Sequence, residues 1–244
     1  MPKRVVFEGV KRSEELNLAN IGHDTATYII SVMQIRMKDD GSVEKIDRPD
    51  SGQNFADRNF RFFPHTVTLA PNEVQAVKVQ LIKSSELATG EYRSHLYFRA
   101  IRNSDPLGEK ELQKDSGISV KLVPVFGMSI PVIIRVGENT SKVSFSDISF
   151  HLEKETDPVL KITFNRTGNM SVYGDVQIDH ISLQGKVTRV GTIKGVAIYT
   201  PNALRHLQFE LYKINGIDYH TGTLQITYNS SNDTKLSEAE INLN

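Results

Sequence analysis

The chain has 244 residues, of which 39% are hydrophobic and 24% charged, a balance that suits folded domains and excludes a largely disordered chain. Lys plus Arg equals Asp plus Glu at 29 each, so no global field draws it to nucleic acid or an anionic membrane. Cysteine is absent, which excludes disulfides, thiolate metal sites and cysteine nucleophiles.

The length suits two domains of roughly 100–150 residues. The longest uninterrupted apolar run, Ile130–Ile134, falls far short of the roughly 20 residues a membrane helix needs. Met1-Pro2-Lys3-Arg4 runs straight into a strand-like segment with no apolar leader. Either the protein is cytosolic or a signal has been removed.

Period-two alternation runs through the chain. It is seen in Ala26, Tyr28, Ile30 and Val32, then slips phase to Ile35 and Met37, which predicts a bulge or bend. It continues in Val77, Val79, Leu81; in Tyr92, Leu96, Phe98; and in Leu160, Ile162, Phe164. Val172, Val176, Ile178 come next, followed by Leu207, Phe209, Leu211; by Leu224, Ile226, Tyr228; and by Ala239, Ile241, Leu243. Turn residues separate these runs, among them Asp39-Asp40-Gly41, Ala70-Pro71-Asn72-Glu73 and Thr221-Gly222. No stretch of a dozen residues carries a helical stripe. Some fourteen short strands predict an all-β chain of two β-sandwiches. The natural boundary is near Val136-Gly137, giving domains 1–137 and 138–244. Residues 38–58 and 102–117 read as long loops.

The most informative segment is 118–136. Every even position is apolar: Ile118, Val120, Leu122, Pro124, Phe126, Met128, Ile130, Val132, Ile134 and Val136. Fully extended it spans about 60 Å, far beyond a usual strand. Pro124 and Pro131 confine it to an edge, a bulge or a strand start. Two readings follow. It is two consecutive strands joined by a kink at Gly127 or Pro131, or one long edge that completes a partner's sheet by β-augmentation.

Several segments resemble the periplasmic chaperones that assemble pili and fimbriae. They are Arg4-Val5-Val6-Phe7-Glu8-Gly9 with Arg12–Leu16, Phe63-Pro64-His65 through Leu69–Glu73, Gly90-Glu91-Tyr92-Arg93-Ser94-His95-Leu96-Tyr97-Phe98, Ile130–Arg135 and Ile217-Asp218-Tyr219. The resemblance spans nearly the whole chain, and the long segment 102–117 places it near the longer-loop branch of that family. It implies two immunoglobulin-like domains in a boomerang arrangement, the first ending in a donor strand at about 118–136. That strand would be lent to an unfinished pilus subunit, with Val120, Leu122, Pro124, Phe126, Met128 and Ile130 filling its groove, until delivery to an outer-membrane usher. The resemblance also implies a periplasmic location with the signal peptide removed, and leaves room for self-association through the donor strand. It implies no catalysis, cofactor, metal, nucleic acid or membrane insertion.

In the family a basic pair holds the subunit's C-terminal carboxylate. Arg4 matches its first member, but Pro131 occupies the place of the second. Either Lys121, Arg93 or Arg135 substitutes, Lys121 first, or the carboxylate is held differently. Arg135 and Asp218 match two members of the family's interdomain salt bridge, whereas Arg93 stands where the family has an acid, with Glu91 two residues away on the same strand face; each guanidinium can fork onto an Asp218 oxygen. The seven histidines (His23, His65, His95, His151, His180, His206 and His220) show no metal-ligand spacing. Neither a Gly-x-Ser-x-Gly elbow nor a P-loop occurs. Two other readings remain: an immunoglobulin-like interaction or adhesion module without a pilus role and, more weakly, a hydrolytic β-sandwich enzyme.

Overall fold

The structure is a computed structural model that describes residues 4–83, 85–101 and 127–243. Those residues form strands and turns with no helix. Seventeen strands occur, more than the fourteen expected. They are β1 (Val5–Phe7), β2 (Ser13–Ala19), β3 (Ala26–Met33), β4 (Ile35–Met37), β5 (Val43–Lys45), β6 (Phe60–Phe63), β7 (Thr66–Leu69), β8 (Val74–Leu81), β9 (Gly90–Ile101) and β10 (Gly127–Val136). Then come β11 (Lys142–Glu153), β12 (Asp157–Thr167), β13 (Val172–Ile181), β14 (Val187–Ile198), β15 (Leu204–Glu210), β16 (Gly222–Ser230) and β17 (Lys235–Leu243).

By packing, the chain divides into two units. Unit 1 holds residues 1–34, 54–88 and 92–136; unit 2 holds 35–53, 89–91 and 137–244. Unit 1 is a sandwich of a five-stranded sheet, β1-β10-β9-β3-β7, and a three-stranded sheet, β2-β8-β6. The alternating apolar residues of both sheets meet in one core. Leu16, Val77 and Val79 from the smaller sheet pack with Phe7, Ile30, Leu96, Phe98, Ile130, Val132 and Ile134 from the larger. The turn at Ala70–Glu73 closes as its residues predict: Asn72 takes φ +63, and Glu73 Oε2 accepts from the Ala70 N–H at 2.7 Å.

Unit 2 pairs a sheet β11-β12-β15 with a sheet β14-β13-β16-β17. This three-plus-four arrangement, with β15 crossing back beside β12, is an immunoglobulin-like sandwich. Its core centres on Phe164 and Tyr228, whose rings meet edge to face at 5.3 Å. The buried Tyr228 hydroxyl donates to Val196 O at 2.8 Å.

Two expectations change. The phase slip at Ile35 is not a bulge within a strand. β3 ends at Met33, and β4 begins a separate two-stranded sheet with β5. Ile35 and Met37, 5% and 6% exposed, are buried. Nor is 38–58 a plain loop, because its first part is the β4–β5 hairpin.

Candidate functional site

β10 changes character along its length. Gly127, Met128 and Ser129 are exposed, whereas the next five residues, Ile130–Ile134, are all buried. The neighbouring strands bear on the buried part. β10 sits between β1 and β9 in the five-stranded sheet. β1 runs parallel to it in the register Val5↔Val132, Val6↔Ile133, Phe7↔Ile134. Over 132–134, therefore, β10 is an interior strand with neighbours on both sides. This corrects the reading of 118–136 as edge throughout. Pro131, which lacks an N–H, lies just ahead of the first β1 pairing.

The even-numbered face carries the second change. Ile130, Val132 and Ile134 are 3%, 0% and 1% exposed and belong to unit 1's own core. Ile130, expected in a partner's groove, is a core residue, because the sandwich is still closed at its level. Met128, two residues earlier on the same face, is 47% exposed. Beside it a cleft of about 340 Å³ opens between the ends of the two sheets, lined by Leu18, Tyr28, Leu69, Phe98, Gly127 and Met128. Leu69 and Phe98, which line the cleft, are core side chains. Gly127 fits where a Cβ would collide with the ring of Tyr97. Val120, Lys121, Leu122, Pro124 and Phe126 lie outside the described residues.

The charged candidates fall in different places. Arg4 immediately precedes β1 and is half-buried. Carried back one step, the β1–β10 register sets Arg4 alongside Pro131. Arg135, with a side chain 14% exposed, has Nη1 3.8 Å from Glu8 Oε2. Arg93 is 3% exposed, and its backbone N–H donates to Asn54 O at 2.9 Å. His95, on the same strand face as Arg93, is also 3% exposed. Burial, and then the charge of Arg93, pull its pKa down to about 3. Asp218 closes its own turn. Oδ1 accepts from the His220 N–H at 2.9 Å and lies 3.0 Å from the His220 ring, and Oδ2 accepts from the Thr221 hydroxyl. The His220 N–H, foremost, holds this carboxyl below the usual range.

A carboxyl group that the sequence places only as a neighbour of the salt-bridge candidates is buried. Glu91 is 2% exposed. Its carboxylate accepts the Ser171 backbone N–H at 2.9 Å and the Ser171 hydroxyl at 2.6 Å. Nothing in the local sequence distinguishes Glu91 from a solvated strand residue. Among the described residues no cluster of His, Asp and Glu could hold a metal ion.

The fold and site define a pair of immunoglobulin-like sandwiches, the first carrying a strand whose apolar face outruns its own core. No family model matches the chain, and no curated protein matches it. Among solved structures it is similar to the Pseudomonas aeruginosa CupB2 chaperone, with 14% identity over 100% of this chain and 98% of that one at a TM-score of 0.46. It is similar also to the class 5 fimbriae chaperone CfaA, with 12% identity over 99% and 96% at a TM-score of 0.46. The structure of the Acinetobacter baumannii CsuC–CsuE chaperone–tip adhesion subunit pre-assembly complex gives 11%, 99%, 96% and 0.45 in the same order.

Proposed function

We propose that this protein is a periplasmic chaperone that binds and caps pilus or fimbrial subunits by lending them the strand that leads into β10, and hands them to an outer-membrane usher. The observation that carries this reading is the passage from Ile130, 3% exposed, to Met128, 47% exposed, on one face of one strand. The apolar parity does not stop where the core stops. It continues through Phe126, Pro124, Leu122, Val120 and Ile118. Burying a Val, Leu, Ile, Phe or Met side chain is worth about 1.5–3 kcal/mol, so a partner lacking one strand gains substantially by taking this face. The open cleft beside Met128 and the sequence resemblance support the same reading. The reaction breaks no bond; it protects apolar surface and unpaired backbone groups.

On this reading the donor residues are Val120, Leu122, Pro124, Phe126 and Met128, and Ile130 anchors the strand to its own domain. The domains are 1–137 and 138–244, with 35–53 supplied in packing to the second. Arg4 is the carboxylate anchor. Pro131 beside it provides no charge, so the second base is Lys121 or the anchor is single. Arg93, Arg135 and Asp218 are the proposed interdomain charges.

The test is co-expression with a pilus subunit from the same source. A one-to-one complex is expected. Phe126→Asp is expected to abolish it and Arg4→Ala to weaken it about tenfold, the scale of one lost charge-assisted contact. A Phe126→Asp variant that captures the subunit like the parent contradicts strand donation.

A further inference from the structure

β15 is the last strand of unit 2's smaller sheet. It pairs with β12 in one register, from Val159↔Glu210 to Asn165↔Leu204. Just beyond those ends the Leu211 N–H donates to Pro158 O and the Arg166 N–H donates to Ala203 O, both at 2.7 Å. Odd-numbered residues of β15 therefore turn their backbone groups toward β12. Even-numbered ones, 204 to 210, turn theirs outward. Such an edge is a template for strand addition.

At the centre of that edge the His206 N–H is taken. It donates to Asp39 O at 2.6 Å. Asp39 stands at the tip of the β4–β5 hairpin, whose sequence lies between two strands of unit 1. The hairpin is seated on unit 2 at several points. Asn202 Nδ2 donates to Asp39 Oδ1 at 3.0 Å. Gly41, at φ +82, lies against the Arg205 guanidinium, where a Cβ would stand 2.7 Å from Cζ. Arg205 Nη1 donates to Ala197 O and is 4.0 Å from the Met37 sulfur. Gln53 Nε2 donates to Ile35 O at 2.9 Å and closes the base of the segment. A lone two-stranded hairpin is marginal in water, so these seats keep it formed.

We infer that the β4–β5 hairpin is an edge guard, which caps β15 and denies that edge to a second copy of this chain. An antiparallel edge is self-complementary about a two-fold axis, so a second copy is the partner always present. The inference is independent of whether β10 serves a pilus subunit.

The test uses the full chain carrying Gly41→Val, a β-branched residue at a φ it rarely adopts. Amide hydrogen exchange is read at His206, on the guarded edge, and at Leu207, which faces β12. His206 exchange is expected to rise about tenfold or more while Leu207 stays protected, and sedimentation is expected to show a concentration-dependent dimer absent from the parent. His206 protection unchanged while the hairpin amides exchange freely overturns the guard. A variant with His206 exposed that stays monomeric overturns its purpose. Should Leu207 also lose protection, Asn202→Ala decides: it removes one contact to Asp39, and the guard requires His206 exchange to rise roughly threefold.

Discussion

The two ends of β10 share a strand and an alternating apolar face, yet they stand in different environments. All five residues of Ile130–Ile134 are buried, and Val132–Ile134 pair with β1. Gly127–Ser129 is exposed. The difference shows that apolar alternation specifies a face and not the body that will cover it. The lower part belongs to unit 1's stability, and the upper part is free to belong to something else.

The sharpest way to break this contrast is a charge in the lower part. Val132→Asp buries an unpaired carboxylate at a position 0% exposed and is expected to cost more than about 4 kcal/mol. It should leave unit 1 unfolded in circular dichroism and protease digestion. A folded variant would mean that the strand is not interior there. Ile130→Ala should cost about 2–4 kcal/mol by urea unfolding, as truncation in a closed core does. Met128→Ala should cost under about 1 kcal/mol in the same assay. Equal costs would erase the boundary between the two parts.

A smaller effect concerns the closure of unit 1 around β9. His95 is held neutral by burial, with its pKa near 3 in the folded protein against about 6.5 unfolded. The unfolded state therefore binds more protons between those values. The associated stability is complete above pH 6.5 and is lost as pH falls toward 3. By pH 5 the loss is about 2 kcal/mol. Urea unfolding at pH 7.5 and pH 5 should show it in the parent and not in His95→Gln. A parent with the same stability at both pH values would contradict the burial of a neutral imidazole.

Much of the fold was legible. Leu160, Ile162, Phe164 and Leu224, Ile226, Tyr228 announce strands because each row faces one core with period two. The Asp39-Asp40-Gly41 turn was legible because Gly41 needs a positive φ. What stayed hidden depends on contacts distant in sequence. Ile35 and Met37 keep the β rhythm, but no local signal says they pack with unit 2. Val5–Phe7 looks like any short strand, and only its parallel pairing turns Val132–Ile134 from edge into interior. Glu91 reads as a surface acid until Ser171 is seen to donate to it twice. Parity marks the candidate strand but does not by itself tell a donor from a core residue, and Ile130, 3% exposed, packs in unit 1's own core.

The most direct measurement takes Met128→Asp in the full chain and follows two quantities, the melting temperature and the affinity for a purified pilus subunit. The account predicts a melting temperature within about 3 °C of the parent, as for a surface substitution, together with at least tenfold weaker binding. Undiminished binding at an unchanged melting temperature would contradict the claim that β10 passes from its own core to a partner's at Met128.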